Sequence, residues 1–398
     1  MFKFNFDLSE DDLEDQPHIP GSSDASLSPN HSKRSDNSSR LKCFEELSLD
    51  HLLETLPSDL SYSPLSIPLS DGRHVAVARR DLFDARFQLI AQDASEKTDA
   101  EGNDIPDGLN FLEAPSDLVP GIYEGGLKTW ECSLDLVTCL HDILPEDTDL
   151  IGQRILELGC GTAVPSMYLL QRIFSLPPQP SERTAIHLQD YNDLVFKLVT
   201  LPNLILTWYM SPASTSFQES YMPTKNDESD EDQLPLSDPS QPGELEVSKE
   251  FVSAFRKSLT DYGIELRFFA GSWQTFDLSK TGGKYDVVLT SETIYRTDSL
   301  PSLIELMRNA CIGLPSSDKD EDESLARLSE ARLSISPSGG HTSYLCLVAA
   351  KLVYFGVGGG VTGFIRAVEG DEVNKGSVET IWERKEGVKR CVMKVSWN

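Results

Sequence analysis

The sequence predicts an α/β fold, a central parallel sheet with helices on both faces, built to hold a cofactor on a glycine turn. Two stretches carry that expectation. Residues 155–158 (ILEL) are a short strand-like run that meets glycines at 159 and 161, and Pro165 then opens an apolar helix reaching Leu170. Strand, tight turn and helix start follow directly from that order. Residues 285–289 (YDVVL) form a near-continuous apolar run, as expected of a central parallel strand buried on both faces.

Composition bounds the rest. A chain of 398 residues with a formal net charge of -29 holds one large α/β domain with acidic additions, because much of the acid falls in runs at 227–232 and 318–323. Such a charge argues against docking on nucleic acid phosphate and favours a basic protein partner. Seven scattered cysteines without a CxxC pair point to a reducing compartment and no structural metal. The start turns acidic too early for a signal peptide. Residues 344–365 could pass for a membrane span, but Lys351 in the middle would cost about 2.5–3.5 kcal/mol in lipid, so a buried strand followed by a loop is expected.

In chain order, residues 1–40 read as a disordered acidic tail, with Phe2, Phe4 and Phe6 alternating near its start. Residues 41–116 form an N-terminal extension packing on the catalytic domain. Within it 41–56 has helical spacing (Phe44, Leu47, Leu52, Leu56), 67–91 reads as strands or a strand and a helix, and 92–107 as a polar loop. The domain proper runs from 117 to 398. Trp130, Leu134, Val137 and Leu140 lie on one face of a helix that arrives just before the glycine-rich strand, preceded by a polar loop (YEGGLKTWE) folded over the site. Strands are expected at 184–188, 264–269, 285–289 and 343–350, helices at 251–259 and 299–310, and a closing hairpin at 377–384 and 388–397. Flexible insertions are expected at about 212–250 and 315–340. The glycines of 356–360 are expected to form a substrate-facing lip.

The candidate ligand follows from the glycine turn. A nicotinamide fingerprint places a third glycine three positions after the second, where this chain has Val164, and Glu157 suits an ammonium and a sulfonium better than a diphosphate. The ligand with those charges is S-adenosyl-L-methionine. Asp190, Tyr191 and Asn192 end the second strand, where a ribose diol is gripped; Asp and Asn are equally good helix caps. Gly271, Ser272 and Trp273 end the third strand beside the adenine position. Ser291, Glu292 and Tyr295 follow the fourth strand, facing the transferred group. Glu292 in this run would equally cap the following helix.

With these residues in view, the chain resembles the seven-strand S-adenosylmethionine-dependent methyltransferases, and within them the protein-histidine methyltransferase family that modifies a large-subunit ribosomal protein. The segments that carry the resemblance are PGIYEGGLKTWEC, ILELGCGTAVPS, LQDYN, GSW, LTSETIY and YFGVGGG. It implies a Rossmann-like sheet of order 3-2-1-4-5-7-6 with the last strand antiparallel. It also implies methyl transfer to the tele nitrogen of a histidine in a large-subunit ribosomal protein (protein three); a monomer in cytoplasm and nucleus is expected. By that resemblance the cofactor would be lined by Trp130, Glu131, Cys132, Gly159, Asp190, Tyr191, Asn192, Gly271, Ser272, Trp273 and Ser291; the reading of the residues themselves adds Glu157 and Gly161 and places Ser291, Glu292 and Tyr295 at the reaction. Ala163 departs from the pattern, standing where many members have a third glycine. A lysine or other methyltransferase, a non-catalytic cofactor-binding adaptor and, more distantly, a nicotinamide oxidoreductase are the competing readings.

Overall fold

A computed structural model describes residues 41–96, 118–119, 123–124, 126–146, 148–221, 237–314, 344–354 and 358–397. Its centre is an eight-stranded sheet in the order β1-β9-β7-β6-β10-β11-β13-β12. The strands are β1 (Glu45–Leu47), β6 (Arg154–Leu158), β7 (Thr184–Asp190), β9 (Ile264–Ala270), β10 (Val287–Ser291), β11 (Leu345–Lys351), β12 (Gly376–Arg384) and β13 (Arg390–Trp397). Numbering the seven strands of the domain along the chain, the order reads 3-2-1-4-5-7-6. β13 runs antiparallel to β11, while β6, β7, β9, β10 and β11 are parallel.

Both faces of the sheet are covered, which is why β10 and β11 read as near-continuous apolar runs. Ile155, Ile186, Leu188, Phe268 and Leu289 point into one core, against helices α3 (Glu131–Ile143), α4 (Val164–Phe174), α5 (Leu201–Tyr209) and α6 (Lys249–Asp261). Leu156, Leu158, Val288, Cys346 and Val348 point into the other, against α7 (Leu300–Ile312) and α8 (Val361–Glu369).

The N-terminal extension holds a helical turn α1 (Leu49–Glu54), strands β2 (Asp59–Pro68) and β3 (His74–Arg80), and α2 (Leu82–Glu96), and a short antiparallel pair, β4 (Leu118–Val119) and β5 (Tyr123–Glu124), precedes α3. Leu60, Ile67 and Val77 enter the same core as α3. Arg80, whose side chain is fully buried, donates its backbone N–H to Asn203 Oδ1 at 2.8 Å and its Nη1 to the Leu198 carbonyl at 2.8 Å. Asn203 Nδ2 in turn donates to the Thr162 carbonyl at 2.9 Å, so the extension is hydrogen-bonded to the glycine turn through one amide.

Three expectations need correction. Residues 41–56 are not one helix: β1 adds to the β9 edge before α1 begins, because Phe44 stacks on Phe269, meets Phe276 edge-on and holds the chain extended. The polar stretch from 92 continues α2 to Glu96; the remainder, to 107, lies outside the described residues. The insertion expected at 212–250 is ordered at both ends. A helix spans Thr215–Tyr221, and β8 (Gly243–Glu246) pairs with β2 in a three-stranded sheet; Leu245 is buried there, an anchor that the surrounding Ser, Pro and acid conceal. The tail at 1–40 and the insertion at 315–340 lie outside the described residues, as do 355–357 of the expected lip. Among the described residues no single helix is long and apolar enough to cross a membrane.

Candidate active site

The carboxyl ends of β6, β7, β9 and β10 meet where the chain stops building towards β9 and starts building towards β11. Open α/β sheets bind ligands at that switch point. Gly159 and Gly161 both take left-handed φ values, 61° and 51°. A Cβ on Gly159 would stand 2.6 Å from Thr293 Cγ2, and one on Gly161 would stand 3.2 Å from the Gly126 backbone. The turn is therefore clasped between the segment leading into α3 and the segment leaving β10. Ala163 is left-handed too, φ 56°, a strain of about 1–2 kcal/mol that a glycine would escape.

The strand ends are tied together by side chains. Asp190 Oδ2 accepts the Gly161 N–H at 3.0 Å and Oδ1 accepts the Asn192 N–H at 3.2 Å. The Gln189 amide accepts the Gly159 N–H (3.2 Å) and the Trp273 indole N–H (2.7 Å) at Oε1, and donates from Nε2 to the Gly271 carbonyl (2.8 Å). One amide thus registers three strand ends against each other. Gly271, φ 114°, has no room for a Cβ, which would fall 2.4 Å from the Cys43 carbonyl oxygen.

A second group of side chains gathers beyond β10 and β11. Glu292 has φ 57°, a left-handed backbone that long side chains avoid. Its N–H donates to the Ala349 carbonyl at 2.9 Å, which holds the strained residue against β11. Its carboxylate, 8% exposed, accepts the Tyr354 hydroxyl at Oε2 (2.8 Å). Oε1 lies 3.4 Å from Lys351 Nζ but receives no hydrogen bond among the described residues. The same ammonium sits 3.4 Å from Glu131 Oε2 and 4.5 Å above the Trp130 ring. Burial pushes the Cys132 thiol and the Tyr354 phenol well above their ordinary values, with the Glu292 carboxylate adding to both. Both therefore stay neutral, and the charges here belong to Glu131, Glu292 and Lys351.

No family model matches the chain. The histidine protein methyltransferase 1 of Saccharomyces cerevisiae is 32% identical over 333 residues, covering 80% of this chain and 76% of the relative. The chain belongs to the histidine protein methyltransferase family. A relative from Schizosaccharomyces pombe with the same description is 29% identical over 362 residues, 86% of each chain, and a mouse homologue is 31% identical over 291 residues, 71% of this chain and 59% of the relative. Among solved structures, the magnesium protoporphyrin IX methyltransferase of Synechocystis with bound SAM overlays at a TM-score of 0.30 and 11% identity, over 68% of this chain and 86% of that one, too slight a likeness to argue from.

In this histidine protein methyltransferase the expected site residues fall into two groups. Gly159, Gly161, Asp190, Tyr191, Asn192, Gly271, Ser272 and Trp273 surround the glycine turn, and Trp130, Glu131, Cys132, Ser291, Glu292 and Tyr295 surround the end of β10. Several have local duties as well. Asn192 Oδ1 accepts the Leu194 N–H at 3.0 Å and caps a helical turn, and the Ser272 N–H donates to the Lys42 carbonyl. Tyr295 gives its carbonyl to the Gly359 N–H at 2.9 Å, so the glycine segment reaches the site by backbone contact. Glu157 is the expectation that changes most. It is 2% exposed, and its Oε2 accepts both the N–H (3.0 Å) and the hydroxyl (2.5 Å) of Ser166. It braces the start of α4 from below the turn instead of presenting its charge to an ammonium. Burial raises its pKa to about 8, against the pull of Ser166.

The donor set suits S-adenosylmethionine: a buried carboxylate at the end of the second strand, a turn whose backbone approaches closely, an indole against that turn, and a negatively weighted cluster beyond the fourth strand. Sequence reasoning missed Gln189, Lys351 and Tyr354. Lys351 carried a signal, because a lysine closing an otherwise apolar strand (LCLVAAK) requires a partner.

Proposed function

We propose that this chain transfers a methyl group from S-adenosylmethionine to the tele nitrogen of a histidine in a basic protein, specifically a large-subunit ribosomal protein. One observation carries the chemistry: Glu292 Oε1, buried, held on a strained backbone and without a hydrogen bond among the described residues.

When bound, S-adenosylmethionine supplies an electrophilic methyl carbon whose bond to sulfur breaks, the electron pair staying on sulfur, as the new bond to nitrogen forms. The chain's residues hold and orient. Asp190 and the glycine turn fix the donor's ribose side, and Gln189 keeps the Trp273 indole against the same turn. Histidine, with an ordinary pKa near 6.5, already offers a neutral lone pair at neutral pH, so no strong base is required. Glu292 accepts the pros N–H, exposes the tele nitrogen, and offsets the positive charge that grows on the ring. The pros proton then leaves through Glu292 to water. Reacting atoms held about 3–3.5 Å apart supply most of the acceleration in such a displacement.

The charge of -29 supports a basic partner, since complementary fields speed encounter. Incubating the purified chain with labelled S-adenosylmethionine and isolated ribosomal subunits, then hydrolysing the labelled protein and separating methylhistidine isomers, tests the reading. Label in tele-methylhistidine of one large-subunit protein is expected. Label on lysine, or cofactor binding with no protein acceptor, overturns it.

A further inference from the structure

We propose that Lys351 and Tyr354 are positioning residues that clamp the Glu292 carboxylate from two sides and so decide which imidazole nitrogen is methylated. The inference rests on the reading of Glu292 given above, and it concerns how that carboxylate is aimed.

The clamp has defined polarity. The Tyr354 hydroxyl accepts the backbone N–H of Lys351 at 3.2 Å, so its proton is left to donate to Glu292 Oε2 at 2.8 Å. That oxygen is occupied, and the carboxylate cannot rotate without breaking the bond. Oε1, buried, faces Lys351 Nζ at 3.4 Å with an ion-pair contact but no hydrogen bond, so its acceptor capacity is unused until an N–H is brought against it. The lysine is itself held, 17% exposed, between Glu131 Oε2 and the Trp130 ring. Its three neighbours converge from α3 and from the end of β10.

The groups facing Glu292 are Glu131 and Cys132 from α3, Lys351 from the end of β11 and Tyr354 just after it. The buried Asp135–Arg390 pair lies behind them. Cys132 and Tyr354 are neutral, so Glu131, Glu292 and Lys351 together carry one net negative charge, opposite in sign to the charge that develops on the methylated ring. Without Lys351 the Glu131 and Glu292 carboxylates would share the cluster with no cation between them, and Glu292 Oε1 would lose the contact that holds it on that side. Without the Tyr354 hydroxyl the carboxylate would stay charged but lose its fixed direction.

The two losses are separated by rescue. Lys351→Met should let pros-methylhistidine appear in the product by freeing the Oε1 side of the carboxylate, and Lys351→Arg, which keeps a cation there, should restore the tele isomer. Tyr354→Phe should let pros-methylhistidine appear in the product at every pH. Thermal melts of each variant report whether it folds, and Lys351→Arg with Tyr354→Phe serve if Lys351→Met does not. A readout without the donor completes the test: calorimetry with a one-histidine peptide and with the same peptide carrying pros-methylhistidine, which lacks the N–H. Wild type should bind the modified peptide at least about tenfold more weakly, a difference of about 1.4 kcal/mol, and Tyr354→Phe should lose the preference. If Glu292→Gln abolishes turnover while the clamp variants keep the wild-type isomer ratio and peptide preference, the clamp is wrong and the role of Glu292 stands. If Glu292→Gln also changes nothing, that role is wrong as well.

Discussion

Replacing Gly159 with alanine isolates the strain in the turn. At φ 61° an L-residue costs about 1–2 kcal/mol relative to glycine. The new Cβ would also fall 2.6 Å from Thr293 Cγ2, and Thr293 has little freedom to yield: it is 6% exposed, and its hydroxyl lies 2.7 Å from that of Thr290, which donates to the Leu158 carbonyl at 2.8 Å. Displacing it breaks one buried hydrogen bond, worth about 1 kcal/mol. Gly159→Ala should therefore cost about 2–3 kcal/mol. Thr293→Ser removes the opposing methyl and keeps the hydroxyl, at about 1 kcal/mol for the lost burial. In that background Gly159→Ala should cost only the backbone share, leaving a coupling of about 1 kcal/mol. Urea denaturation of the four proteins measures the cycle. A Gly159→Ala change under about 0.5 kcal/mol, or a coupling of zero, would refute the account of why glycine stands there.

Asp190→Asn replaces a carboxylate that accepts two backbone N–H groups and should weaken S-adenosylhomocysteine binding at least about tenfold, since charge-assisted bonds are about twice as strong as neutral ones; unchanged calorimetric affinity would separate Asp190 from the ligand. Glu157 keeps its proton in the folded state up to about pH 8, whereas its ordinary value is 4.5. The native state thus binds more protons across that window, and stability should fall as pH rises through it, by up to about 1.4 kcal/mol per unit. Glu157→Gln should flatten that dependence in pH-resolved melts. Asp135 and Arg390 form a buried two-bonded pair (2.5 and 3.1 Å) joining α3 to β13. Asp135→Ala should cost about 3–5 kcal/mol by stranding the guanidinium, while Asp135→Ala with Arg390→Met should recover much of it; equal losses in the two would show that the unpaired charge is not the cause.

Much of this fold was legible in the chain because its determinants are local. The apolar runs that became β10 and β11 are continuous since both faces are covered, β9 alternates over its first half, and the glycine turn announced its own conformation. The closing hairpin was visible for the same reason. Where the expectation failed, a distant partner decided. Glu45–Leu47 is a strand because β9 offers an edge and Phe269 a ring to stack on, and Gly243–Glu246 is a strand because β2 lies beside it. Neither partner is near in sequence, so no local pattern records them.

The site divides along the same line. Sequence alone determined the backbone chemistry of the cradle, the acid that ends the second strand and the polar run after the fourth, since each is a residue type required at a fixed place relative to a strand end. Only the tertiary structure turned Glu157 inward to Ser166 and brought Lys351 and Tyr354 from the end of one strand to the carboxylate that follows its neighbour. A buried charge is tolerable only beside its partner, and which groups become partners is settled by how parallel strands from remote parts of the chain align their ends.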